Sequence, residues 1–380
     1  MNPDTETVAI QNKTLLRQEW SLLVIATTTV LFTLFGKTWL AELTNPAWFG
    51  FMLLWLFSVM LLSAFAIVRH SESLAILLGE PVGTLILTLS VIGVEVLMIS
   101  AVMLTGDGKP TIARDTMFAV VMILLGGMIG VSLLLGGWRH HEQTYNLQGA
   151  NAFLALILPL AVLGLVLPNF TTTTSGPTLS PFQSVFTSVM SIGIYLIFLV
   201  VQTTRHREYF ITPQAAGKED DSHIHDDHPV NSIPYHALLL ILYILPLVIL
   251  AKQLAVPLEF GTRALGMPAA VSGFLVAILI LSPEAMSAVK AALQNQLQRA
   301  VNILLGSVLA TIGLTIPAVL MIGLMTGKTI HLGLSAANTI LLLLLLVSST
   351  LTFSHSRTNV LLGAVHLLLF FAYLMLMFEG

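Results

Sequence analysis

Three features of the sequence predict an all-α polytopic membrane protein. Of 380 residues, 56% are hydrophobic and 9% charged, where soluble domains carry about 25% charged residues, and the mean hydropathy is +0.90. Apolar stretches of about 20 residues, long enough to cross a bilayer at about 1.5 Å rise per residue, recur with short polar links between them. Two of these stretches each hold one lone carboxylate. Glu95 is the sole ionisable side chain from Leu85 to Thr105, and Glu284 the sole one from Pro268 to Val289.

The first nineteen residues are polar and lack the apolar core and small-residue cleavage site of a secretory leader. The first span is therefore expected to act as its own insertion signal. Spans are expected near 20–36, 48–68, 82–104, 116–136, 151–168 and 182–203, then near 235–254, 268–289, 301–325, 334–353 and 358–378. That makes eleven, of which the seventh contains Pro246 and ends at Lys252. Lys and Arg favour cytoplasmic connections. With the amino terminus cytoplasmic, that side receives ten of the sixteen, Arg69, Arg139, Arg205, Lys290 and Arg357 among them. The carboxyl terminus then lies outside. The chain divides into a cytoplasmic segment 1–19, a first helix and loop 20–47, a five-helix half 48–203, a cytoplasmic acidic and His-rich loop 204–234, and a second five-helix half 235–380.

A net charge of −3 gives no reason to expect nucleic acid, and the absence of cysteine excludes disulfides, thiolate metal sites and thiol nucleophiles. No resident cofactor is expected. The expected partners are the lipid bilayer, small inorganic cations and protons, and nothing in the sequence marks an oligomeric state.

The two halves echo one another. Ile123-Leu124-Leu125-Gly126-Gly127 matches Ile303-Leu304-Leu305-Gly306-Ser307, and upstream Glu95 precedes Ser100-Ala101-Val102 as Glu284 precedes Ser287-Ala288-Val289. Five spans separate the equivalent positions, so the Glu95 span runs outward and the Glu284 span inward. Such inverted halves build secondary transporters, with an ion site near the midplane where they meet.

A carboxylate at membrane depth is costly unless protonated, paired or holding a cation, which makes each glutamate a functional candidate. Hard cations take oxygen ligands, six to eight for Ca2+, and two carboxylates supply at most four. Ser90 and Ser282 lie close ahead of the glutamates, while Asn302, Ser307 and Thr311 are candidates to reach Glu95 from a facing span. Pro283 cannot donate to the helix ladder, which frees carbonyls near Leu279 and Ile280 to turn toward an ion as in broken transporter helices. The Gly126-Gly127 pair is expected to let its span approach Glu284. Burial favours the protonated form of a carboxylate and a bound cation the ionised form, so such a site trades protons for Ca2+, Na+ or K+. The competing reading is a pair of neutral, hydrogen-bonded core residues.

Further polar groups sit at the span ends. Glu80, Asn295 and Arg299 are candidates for the cytoplasmic entrance. In the acidic loop, Asp220, Asp221, Asp226 and Asp227 interleave with His223, His225 and His228, a composition able to sense pH or gather cations and equally that of a solvated linker. The paired aspartates also admit an intramembrane Mg2+-dependent transferase, and the glutamate pair a passive cation channel, as alternatives. His366, inside the last span, suits either a proton relay or a bond to a neighbouring carbonyl.

A series of blocks carries a resemblance. In the first half these are Val68-Arg69-His70, Gly79-Glu80-Pro81 through Glu95, and Thr105-Gly106-Asp107. In the second they are Gly273-Phe274-Leu275-Val276-Ala277 through Ser282-Pro283-Glu284, Asn295-Gln296, Gln298-Arg299-Ala300, Gly306-Ser307-Val308-Leu309-Ala310-Thr311 and Arg357-Thr358-Asn359-Val360-Leu361. In content and order they resemble bacterial calcium/sodium–proton antiporters of the ChaA group, within the cation/calcium exchanger superfamily. The resemblance implies eleven helices, the last ten as two inverted five-helix repeats. It also implies Glu95 and Glu284 as paired transport carboxylates, and export of Ca2+, Na+ or K+ against inward proton flow at the plasma membrane. Vacuolar calcium/proton exchangers carry Gly-Asn-Ala-x-Glu at both sites. Here Ile92 and Leu281 replace the two asparagines, which removes two amide oxygens and leaves room for monovalent ions.

Overall fold

The computed structural model describes residues 19–79, 82–104, 110–211, 232–268 and 270–379. Within them the chain runs back and forth through eleven helices: α1 Trp20–Trp39, α2 Pro46–Leu78, α3 Val82–Leu104, α4 Ile112–His140, α5 Leu147–Asn169, α6 Pro181–Arg205, α7 Ile233–Ala264, α8 Ala270–Leu293, α9 Leu297–Thr326, α10 Ala336–Thr352 and α11 Val360–Glu379. Nine are long and apolar enough to cross a membrane, and the described apolar part of α3, Leu85–Ala101, and α10 are shorter. The all-helical, polytopic expectation is met.

Helix starts are written locally. Asn45 accepts from the amides of Ala47 and Trp48 ahead of Pro46 in α2. Ser180 and Gln183 form a reciprocal capping box ahead of Pro181 in α6. Both devices satisfy amides that a helix start leaves unpaired.

The links gather at two ends. At the near end, where the chain enters α1, strand Gln143–Thr144 of the α4–α5 link pairs antiparallel with Arg357–Thr358 of the α10–α11 link. Gln143 Nε2 donates to Ala292 O at 2.8 Å and Asn295 Oδ1 at 3.1 Å, which ties in the α8–α9 link. At the far end, the His331 amide donates to Pro110 O at 2.9 Å and Lys328 Nζ to Met103 O at 3.1 Å. Successive helices therefore alternate in direction, and α3 and α8 run opposite ways.

Two apolar clusters set the layers. One joins α1, α2 and α7, and the other joins α4, α5, α6, α9, α10 and α11. Helix α3 contributes Val94 and Met98 to the first and Ile92 and Ile99 to the second. Helix α8 likewise gives Leu279 and Ile280 to the first, Ala277 and Leu281 to the second. The two glutamate-bearing helices thus lie between the layers.

Three expected boundaries shift. Helix α2 runs to Leu78 rather than ending near 68, because Arg69 and His70 are paired with Glu19 at the start of α1. Helix α7 continues through Pro246 and Pro257 to Ala264. Packing against α2 outweighs the lost ladder bonds, and Lys252 projects from an exposed face. Positions 204–211 are not free loop: α6 extends to Arg205, and the turn Arg207–Phe210 is docked by Asn146 Nδ2 on Glu208 O at 3.1 Å and Asn302 Nδ2 on Phe210 O at 2.7 Å.

Candidate functional site between α3, α8 and α9

Glu95 sits on α3 at 2% exposure. Its Oε2 accepts from Thr311 Oγ1 of α9 at 2.8 Å, while its Oε1 is buried without a hydrogen-bond partner. Glu284 on α8 retains partly accessible surface, and its Oε2 accepts from Ser307 Oγ of α9. The two carboxylates thus bond to neighbouring hydroxyls of one helix. Ser307 and Thr311 lie one turn apart on α9, so a single helix face serves both acids.

Local sequence explains that face. Ser307, Thr311 and Thr315 recur every four residues, a spacing that keeps side chains on one side of a helix. Four residues overshoot one 3.6-residue turn, and the wider π turn Thr311–Thr315 takes back that drift. Gly313 permits the turn to lie against α6, since a Cβ there would meet Tyr195 at 3.2 Å. Gly273 brings α8 equally close to α4, where a Cβ would lie 2.9 Å from Thr116 Oγ1. Thr315 is fully buried. It stands beside the Glu95 carboxylate, yet its Oγ1 completes no hydrogen bond.

The expected helpers are dispersed. Ser90 Oγ donates to Ile86 O and Ser282 Oγ to Ile278 O, each within its own helix, so neither serves a carboxylate. Helix α8 passes unbroken through Pro283, and Ser282 supplies a substitute donor to a carbonyl in the turn before it. Asn302 bonds Gln298 and Phe210 at the near end, away from Glu95. Ser307 reaches Glu284 rather than Glu95. The Gly126-Gly127 pair faces α11, where a Cβ would meet Phe370 at 3.2 and 3.5 Å, and does not admit Glu284. Asn295, in the left-handed region at φ 62°, accepts from Gln143, and Arg299 is exposed beside it at the near end. His366 is fully buried, bonded to Leu125 O at 2.6 Å and Thr352 Oγ1 at 3.0 Å, the carbonyl-bonding alternative. Glu80, Asp220, Asp221, His223, His225, Asp226, Asp227 and His228 lie outside the described residues.

Two residues escaped the sequence reading. Thr315 had a signal in the four-residue hydroxyl spacing. Glu72, exposed on α2, acts electrostatically on Glu284, and its signal is positional: Glu72 and Glu259 stand equally far along α2 and α7.

The side chains that meet here among the described residues, Glu95, Glu284, Ser307, Thr311 and Thr315, bring carboxylate and hydroxyl oxygens, a donor set for hard cations and protons. Among the described residues, no three His, Cys, Asp or Glu side chains gather as a metal centre. A cation here would be cargo.

Comparison with known proteins agrees with this architecture. The sequence is 42% identical over 340 residues, 90% of this chain and 92% of the relative, to the sodium-potassium/proton antiporter ChaA of Escherichia coli (strain K12). It is 44% identical over 315 residues, 83% of this chain and 85% of the relative, to the putative ionic transporter y4hA of Sinorhizobium fredii (strain NBRC 101917 / NGR234). The fold matches native YfkE with a TM-score of 0.71 at 18% identity, over 95% of this chain and 100% of that one. The profile of the sodium/calcium exchanger protein family matches twice, at 46–204 and 235–379, once over α2–α6 and once over α7–α11. With both halves matched and relatives above 40% identity along most of its length, the chain belongs to the sodium/calcium exchanger protein family.

Proposed function

We propose that this protein is a secondary antiporter that exchanges Na+, K+ or Ca2+ for protons across the plasma membrane, with its amino terminus cytoplasmic. The observation that carries the reading is that buried Glu95 and half-buried Glu284 bond to neighbouring hydroxyls on one face of α9, with Glu95 Oε1 left bare. A bare buried carboxylate oxygen is expensive, and a site built to alternate between a proton and a cation must keep such an oxygen available. The E. coli relative described as a sodium-potassium/proton antiporter supports the choice of cargo. The double family match supports two repeats, and the opposite directions of α3 and α8 support an inverted relation between them. A membrane transporter family gives no support to a Mg2+-dependent transferase.

The exchange follows from competition. A cation between the acids favours their ionised forms and expels protons, and protonation removes the charge that holds the cation. Alternating access would expose this one site first to one face and then to the other, so that each crossing carries one kind of cargo. In everted vesicles, addition of Na+, K+ or Ca2+ is expected to dissipate an imposed ΔpH. A gradient that survives all three cations overturns the reading. Cation currents that move no protons would indicate a channel instead.

A further inference from the structure

The hydroxyl stripe on α9 has three members and only two carboxylate bonds. Ser307 bonds Glu284 and Thr311 bonds Glu95. The third, Thr315 Oγ1, and the second oxygen of Glu95, Oε1, are both buried and both lack a hydrogen-bond partner. Native proteins leave few buried polar atoms in that condition, and each one asks for a physical reason. Thr315 stands beside the Glu95 carboxylate, so one reason can cover both atoms.

An ion supplies it. A hard cation held about 2.3–2.6 Å from each of two oxygens keeps them farther apart than a hydrogen bond does. Oxygens placed to share an ion therefore look unpaired without it. The site is also short of ligands, because two carboxylates and the hydroxyls of Ser307 and Thr311 scarcely reach the six to eight oxygens that Ca2+ takes. A threonine hydroxyl makes up part of that deficit.

We infer that Thr315 is a cation ligand of the exchange site, which receives the dehydrated ion jointly with Glu95 Oε1. The inference rests on the antiport reading and adds a residue to it. Because α9 carries the whole stripe, replacing this hydroxyl should weaken cation binding without disturbing the bonds that Ser307 and Thr311 make.

The test uses the full chain in proteoliposomes, with Na+, K+ and Ca2+ assayed separately at fixed pH. Thr315→Val is expected to raise the KM for each transported ion about tenfold or more with maximal rate within twofold of wild type, and Thr315→Ser to restore KM within about threefold. A purely structural role would lower the amount of folded protein, read by size-exclusion profile, without this split between KM and maximal rate. Unchanged KM in Thr315→Val overturns the inference, as does a KM that Thr315→Ser fails to rescue. Should Thr315→Val not fold, Thr315→Ala is read by the same criteria. Glu95→Gln keeps the two levels apart. If it abolishes exchange while Thr315→Val keeps the wild-type KM, only Thr315 is wrong. If Glu95→Gln exchanges normally, the antiport site itself is wrong.

Discussion

Glu19 and Glu95 are both enclosed carboxylates, and their surroundings are opposite. Glu19 stands at the near end between α1, α2 and α7. Its Oε2 accepts from Arg69 Nη2 at 2.6 Å and Tyr243 OH at 2.8 Å, and lies 3.4 Å from His70 Nε2, while Oε1 accepts from Tyr235 at 3.3 Å. Burial alone would push its pKa up, but hydrogen bonds from His70 and Tyr243 and the charge of Arg69 hold it at about 2. His70 in turn meets His236 Nδ1 to Nδ1 at 2.9 Å, so one ring donates the hydrogen the other accepts. Glu95 has one hydroxyl on one oxygen and nothing on the other. The difference separates a carboxylate locked into its charged form, which fastens helices, from one left free to change partners.

The largest expected effect tests the second half of that contrast. Glu95→Gln and Glu284→Gln should each reduce exchange in vesicles more than about 100-fold while the protein stays monodisperse, because the amide keeps the shape and loses both proton and cation chemistry. Retention of full exchange by both variants would erase the distinction.

Competition for the same oxygens sets the next effect. Apparent cation affinity should fall as pH is lowered, by up to about tenfold per unit for each proton displaced. A KM that stays flat between pH 6 and 9 would place proton and cation on separate groups.

For Glu19 the expected loss is in stability and not in transport. Glu19→Gln should destabilise the protein by roughly 1–3 kcal/mol, with KM unchanged. A carboxylate whose folded pKa lies below its unfolded value of about 4.5 stabilises the fold fully above that value and loses the contribution as pH falls toward about 2. The gap in thermal midpoint between wild type and Glu19→Gln should thus narrow as pH is lowered from 5 to 3. A gap constant over that range would mean that Glu19 is not held ionised by its neighbours.

The smallest effect distinguishes two serines. Ser282, bonded to Ile278 O in its own helix, should tolerate alanine with less than a twofold change in KM. Ser307→Ala should shift KM several-fold, since it uncovers Glu284. Equal sensitivity of the two would mean the hydroxyl stripe on α9 is not the side that matters.

Much of this was legible in the sequence, for reasons that differ by residue. Apolar runs report helices directly because lipid leaves the backbone no other partner, so the eleven helices and their order were readable. A lone glutamate in such a run stands out by the same logic. The ends of α2 and α7 were not readable, because Arg69 looks like a helix end until Glu19 is known to reach it across fifty residues of chain. The assignment of Ser307 to Glu284 and Thr311 to Glu95 depends on how α9 lies between α3 and α8, and spacing along one chain carries no such information. Gly126-Gly127 misled for a related reason: small residues signal close approach without naming the neighbour, which is Phe370 of α11.

The regular pitch of the α9 stripe limits how the molecule can rearrange. A helix whose hydroxyls repeat every four residues meets the same two acids again after sliding by one repeat, about 6 Å at 1.5 Å per residue, with Thr311 then opposite Glu284 and Thr315 opposite Glu95. A half-period slide would leave each acid between two hydroxyls, because Leu309 and Gly313 point to another side of the helix, Gly313 toward Tyr195 of α6. Displacements of α9 against α3 and α8, read as distances between paired spin labels, are therefore expected in whole periods, and a continuous spread of distances would show that the stripe does not index the motion.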